Sequence, residues 1–162
     1  SLSWVSQTVS VSDVDMAVTV APAWQWPAPG TQLDWLVEYC NLGGTSTADV
    51  QLDALLAPQG AVQLGDWSAT EAGWLELGQT QTQVALHRGS VAEQSCGWIV
   101  LPAQVLPNLP PGTVLCAEAQ VETPYDDNQG NNAHAACTEV GWALFGDGFE
   151  RGDASAWDLA VP

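Results

Sequence analysis

The side chains equipped for chemistry in this chain are its carboxylates, two histidines, four cysteines and nine tryptophans. Asp126, Asp127, Asn128, Asn131 and Asn132 crowd into one short stretch, and Asp147, Glu150 and Asp153 form a second set near the C-terminus. Oxygen donors at such density are what calcium takes, although neither stretch has the spacing of an EF-hand loop. Asp, Asn and Gly are also the ordinary residues of tight turns, which accounts for the first stretch without an ion. Calcium is therefore kept only as a candidate ligand of Asp126, Asp127, Asp147, Glu150 and Asp153, and no cofactor is expected. His87 and His134 lie in different segments with no suitably spaced Asp, Ser or Cys, and read as solvated or packed histidines. Nothing singles out two of the 19 acids as a glycosidase pair, so the expectation is a protein that is not an enzyme.

The cysteines Cys40, Cys96, Cys116 and Cys137 form an even set with no Cys-x-x-Cys pair, which argues for disulfides over zinc. Disulfides imply an oxidising compartment. The tryptophans are the residues most suited to binding. Trp35, Trp98 and Trp142 fall in strand patterns and read as core or sheet-surface packing. Trp24 and Trp26 sit between Pro22, Pro27 and Pro29, in a loop, while Trp4, Trp67, Trp74 and Trp157 have polar or terminal surroundings. Exposed indoles stack on sugar rings or anchor protein interfaces.

Two basic residues against 19 acidic ones give a formal charge of −17. Nucleic acid and anionic membrane surfaces would repel such a chain, whereas a solvated extracellular surface suits it. No apolar run approaches the length of a membrane span, so no membrane insertion is expected. The chain begins at Ser1 without an apolar leader and reads as a mature secreted product.

The elements that must carry these residues show period-two alternation throughout. Leu33, Trp35, Val37 and Tyr39 share one face of a strand, and Val50, Leu52, Ala54 and Leu56 share one face of another. Leu115, Ala117, Ala119 and Val121 face one way while Cys116, Glu118 and Gln120 face the other, and a returning strand runs from Ala133 to Val140. That hairpin brings positions 116 and 137 opposite each other. Cys40 ends one strand and Cys96 begins another, so of three possible pairings Cys40–Cys96 with Cys116–Cys137 is favoured. The span 60–82 reads as short strands and loops, residues 84–86 as a strand, and 87–94 as a loop. Strand character returns over 96–101, followed by a crossing segment from Pro102 to Pro111. Apolar phase flips near Ser12 and Asp13, which separates a strand in residues 1–12 from the strand that follows. No segment has helical periodicity. The fold class is all-β: an immunoglobulin-like antiparallel β-sandwich of about seven strands, over residues 13–144, with an extra N-terminal strand in 1–12 and a tail in 145–162.

Asp15 opening a Val-rich strand, Pro29–Gly30, the run Tyr39–Gly43, the run Leu109–Thr113, and Asp127, Asn128, Asn131 and Asn132 occur in an order that resembles the CARDB-type and conserved-repeat immunoglobulin-like domains of bacterial surface proteins. The resemblance spans Asp13 to Val140. It implies a spacer, adhesive module or fibre unit, with no catalytic residues to carry over. The cysteines and tryptophans depart from the pattern. The tail from Phe145 to Trp157 resembles a DGFESGD-x-S-x-W motif of secreted bacterial proteins, with Arg151 where Ser is usual, and implies export or surface display.

The expected function is a non-catalytic, extracellular structural or adhesive subunit. It would form a homo-oligomer or polymer, with residues 1–12 donated to a neighbouring sheet edge. The alternative is a carbohydrate-binding module that stacks a polysaccharide on Trp24, Trp26 and Trp67 or Trp74.

Overall fold

The structure, a computed structural model, describes residues 13–141. The proposed strand in 1–12, the tail in 145–162, and with them Trp4, Trp142, Trp157, Asp147, Glu150 and Asp153, lie outside the described residues.

Alternation becomes a two-sheet sandwich because each strand has one apolar face to bury. One sheet contains β1 (Met16–Pro22), β2 (Gln32–Asn41), β8 (Ser95–Val105) and β4 (Val62–Leu64) in that order, with the short β5 (Ser68–Ala69) also on β8. The other runs β10 (Ala133–Glu139), β9 (Val114–Glu122), β3 (Val50–Ala57), β7 (Gln83–Arg88) and β6 (Trp74–Gln79). All these pairings are antiparallel. The inward rows Met16/Val18/Val20, Leu33/Trp35/Val37/Tyr39, Val50/Leu52/Leu56, Ile99/Leu101/Ala103 and Leu115/Ala117/Ala119/Val121 make one buried core.

Both expected disulfides are present, each between directly opposed partners. Cys40 faces Cys96 across β2 and β8, and Cys116 faces Cys137 across β9 and β10. Among the described residues there are ten strands where about seven were expected, the surplus being short pieces such as β4 and β5. Three boundaries also move. β1 continues to Pro22, at the end of an edge strand, where proline is tolerated. His87 and Arg88 belong to β7, paired with Leu75 and Trp74, not to a loop. β8 passes through Pro102 to Val105 where a crossing segment was expected. Pro102 is admitted because the side on which its carbonyl accepts from Gly65 N–H at 2.7 Å is the break between β4 and β5, where no ladder needs its N–H. Its missing N–H points to that same side, into the gap between β4 and β5.

The rim between the two sheets is laced at the β1–β10 side. Val20 N–H donates to His134 Nδ1 at 3.1 Å, and Met16 N–H donates to Asp126 Oδ2 at 3.3 Å. These bonds occupy donors that an edge strand otherwise leaves open. The opposite edge, β6, carries Leu75 and Leu77 at 64% and 60% exposure.

Candidate functional site

Between β1 and β2 the chain cannot continue a ladder, because Pro27 and Pro29 lack the donors. The loop is nonetheless held at many points. Ala23 N–H donates to Asp34 O at 2.8 Å, Gly30 N–H to Val105 O at 3.1 Å, and Gly141 N–H to Pro27 O at 3.0 Å. Trp26 N–H donates to Thr138 Oγ1 at 3.2 Å, and the Thr138 hydroxyl donates to Gln25 Oε1 at 3.0 Å. Trp26 sits at φ 55, the left-handed region that costs a bulky residue on the order of 1–2 kcal/mol. Its backbone lies so close to Gly141 that a Cβ there would come within 2.8 Å of Trp26 O.

The result is a rigid mount for exposed aromatics. Trp26 is 69% exposed and Trp24 44%. Beside Trp26 lies a shallow cleft of about 260 Å³, lined by Gln25, Val114, Cys137, Thr138 and Glu139. An indole face, a half-exposed Val114 and the exposed Gln25 and Glu139 side chains can stack and hydrogen-bond a ligand or anchor a partner.

The other tryptophans separate. Trp74 leaves the binding set: it is 7% exposed and meets Tyr39 edge-on, with ring centroids 5.0 Å apart. Tyr39 in turn accepts from Arg88 Nη1 at 2.7 Å. The polar neighbours of Trp74 suggested exposure, but β6 bulges between Glu76 and Gly78, which breaks the alternation that would have revealed its inward face. Trp67 is half-buried against the core, with Nε1 donating to Glu76 Oε2 at 2.9 Å, so it is not an open platform beside Trp24 and Trp26. Trp35 is fully buried and Trp98 lies 39% exposed on β8.

The acidic turn is structural in its visible contacts. Asp126 accepts from the backbone N–H of Met16 and Asn128 and from Asn132 Nδ2, while Asp127 is exposed. His87 lies 3.7 Å from Asp49 at the surface, and His134 is used as a hydrogen-bond acceptor. Glu38 lies close to the sulfurs of Cys40 and Cys96, but these are bonded to each other and offer no thiolate to a metal. Among the described residues no helix is long and apolar enough to cross a membrane. Sequence reasoning missed Gln25, Val114 and Thr138. Thr138 had left a signal, as a hydroxyl on the inward face of its strand.

An immunoglobulin-like sandwich of two open antiparallel sheets is the class this architecture defines. No protein-family model and no curated protein matches the sequence. Solved structures share the fold. The third cohesin of ScaC from Acetivibrio cellulolyticus, solved in complex with the ScaB dockerin, is similar at TM-score 0.59 and 11% identity, over 77% of this chain and 99% of that one. The CARDB domain of the PF1109 protein from Pyrococcus furiosus, solved with di-metal ions, is similar at TM-score 0.54 and 12% identity, over 83% and 94%. The CARDB resemblance read from the turn motifs is thus matched at the level of fold. AvmM, which catalyses a macrocyclization, is similar at TM-score 0.50 and 13% identity, over 81% and 90%, so the fold by itself is compatible with several functions.

Proposed function

We propose that the protein is a non-catalytic, extracellular structural or adhesive module that makes its contacts through the Trp24–Trp26 loop. The observation that carries this is Trp26, a largely exposed indole held on a strained, multiply bonded backbone. Exposed tryptophan on a fixed mount loses little entropy on binding, which is how interface anchors work. Two disulfides and a charge of −17 suit an oxidising, extracellular setting. The cohesin solved with its dockerin is a precedent for this fold serving protein–protein contact.

The finer form of the proposal is a self-assembling cell-surface fibre. In this reading β6 is the acceptor edge, with Leu75 and Leu77 outward, and residues 1–12, whose sequence alternates from Thr8 to Ser12, would be donated to it by the next copy. Light scattering of the full chain against a deletion of residues 1–11 tests it: assemblies are expected only for the full chain, and equal polymerisation of both sinks strand donation. Trp26→Ala and Trp24→Ala should weaken capture of the binding partner or self-association without unfolding the domain. If neither does, the loop is not the contact.

A second reading is favoured by the cleft beside Trp26, whose exposed Gln25 and Glu139 side chains offer hydrogen bonds to sugar hydroxyls. It takes Trp24 and Trp26 as a polysaccharide platform. Glycan-array binding lost in Trp26→Ala would support it, and an array without binding would remove it.

A further inference from the structure

At the β9–β10 turn, side chains from two distant parts of the sequence converge. Asn131 Nδ2 donates to Asp15 Oδ1 at 2.8 Å, and Asn132 Nδ2 donates to Asp126 Oδ2 at 2.9 Å. Each amide thus gives its nitrogen to a carboxylate and leaves its carbonyl oxygen over. Both Oδ1 atoms are buried and have no hydrogen-bond partner, and Asn132 is only 9% exposed. A buried acceptor without a partner costs roughly 1–3 kcal/mol, so two in adjacent residues are stabilised by any water or cation that reaches them. The oxygen and nitrogen of an amide lie about 2.2 Å apart, which puts each orphaned oxygen within about 5 Å of a carboxylate oxygen. Asp126 and Asn132 also line an open cleft of about 400 Å³ with Gln120, Glu122 and Gln129. This surplus of oxygen acceptors over donors is the complement of a hard cation.

We infer that this turn is a calcium site. The carboxylates of Asp126 and Asp15 supply charge, the side-chain carbonyls of Asn131 and Asn132 supply neutral oxygens, and waters entering from the cleft complete the shell. Calcium accepts six to eight oxygens in irregular geometry, Asn carbonyls included, whereas magnesium demands a near-ideal octahedron and retains its waters. With no thiolate or imidazole in the set, zinc is disfavoured. Asp127 is exposed and takes no part in these bonds, so the inference does not rest on it. The ion would tie Asp15, at the entrance to β1, to the tip of the β9–β10 hairpin, reinforcing the link already made by Met16 N–H and Asp126.

The test uses the full chain after chelation, by calorimetric titration and thermal melts with CaCl2. MgCl2 and NaCl at matched ionic strength are the controls, because any cation screens a charge of −17. One calcium per chain and a Tm rise not reproduced by either control are expected. Asn132→Asp removes the donor to Asp126 and sets a second carboxylate against it. This variant should melt well below wild type in chelator and recover most of the loss in calcium. Asp66→Asn, an exposed acid next to β4, should leave the calcium response unchanged. Three results would each overturn the site: no heat beyond that of NaCl, an Asn132→Asp loss equal with and without calcium, or a response abolished equally by Asp66→Asn.

Discussion

Replacing each cysteine pair by alanine in turn should separate the two disulfides by their loop lengths. Cys40 and Cys96 are 56 residues apart, and Cys116 and Cys137 are 21 apart. Loop-closure entropy then assigns about 4.2 kcal/mol to the first and about 3.3 kcal/mol to the second at 25 °C. Other terms are small at both places. Cys96 and Cys137 are exposed and their partners only half-buried, so alanine removes little apolar area and opens no core cavity. Both pairs also staple directly opposed residues of ladders that have their own backbone pairing. Urea unfolding of the two double variants, analysed with free m-values, should therefore show the Cys40/Cys96 variant weaker by about 0.9 kcal/mol. A Cys116/Cys137 variant that is equally or more destabilised would refute the entropic reading. It would mean that β10, which among the described residues is an edge strand paired with β9 alone, depends on its staple to remain in the sheet.

Gly97→Ala should cost about 3 kcal/mol, because the new Cβ would fall on the Tyr39 hydroxyl oxygen and Cζ across the β2–β8 ladder, in a fully buried site. Loss of thermal stability, with a weakened Arg88–Tyr39 contact visible in the near-ultraviolet dichroism, checks it. Trp74→Ala should cost about 3–5 kcal/mol by leaving a cavity beside Tyr39, while Trp26→Ala should cost about 1 kcal/mol or less and instead change binding. Denaturation midpoints of the two variants, read side by side, distinguish a core tryptophan from a displayed one.

The strands that sequence reading placed well are those whose inward residues recur without interruption. β2, β3 and β9 each present four apolar residues at period two, and the burial of Trp35, Leu52 and Ala119 follows from that spacing. The cysteine pairs followed in turn, since once register is known opposite residues are known. Errors arose where a local signal contradicted a long-range one. Pro102 reads as a stop, yet the gap between β4 and β5 supplies the one kind of edge on which proline is tolerated, and that gap is set by a remote segment. His87 and Arg88, followed by Gly89 and Ser90, look like a loop until β6 is seen to extend β7 through them. Trp74 was misplaced because the bulge beyond Glu76 shifts phase within a six-residue strand.

The turn motifs were legible for a different reason, and that reason explains why they say so little about function. Asn41 Oδ1 accepts from Gly43 N–H at 3.1 Å while its Nδ2 donates to Thr45 O at 2.8 Å, closing the β2–β3 turn from within the fold. Gly43 must lack a side chain because a Cβ there would collide with the backbone of Asp13 and Asp15. Asp15 and Asn131 bridge the entrance of β1 to the last hairpin. Asn41 satisfies backbone groups of a turn and the Asp15–Asn131 bond ties two segments of the sandwich, so both read as architecture from the sequence alone. Trp24 and Trp26 carry no such obligation. Only the mount beneath them, Thr138, Gln25 and Gly141, is demanded by geometry, and it holds the backbone of position 26 while leaving the side chain free to face solvent. If the proposed contact surface is right, function is written on side chains that the fold supports but does not require, so Trp26→Ala is expected to change binding more than stability, and binding is the measurement that reads it.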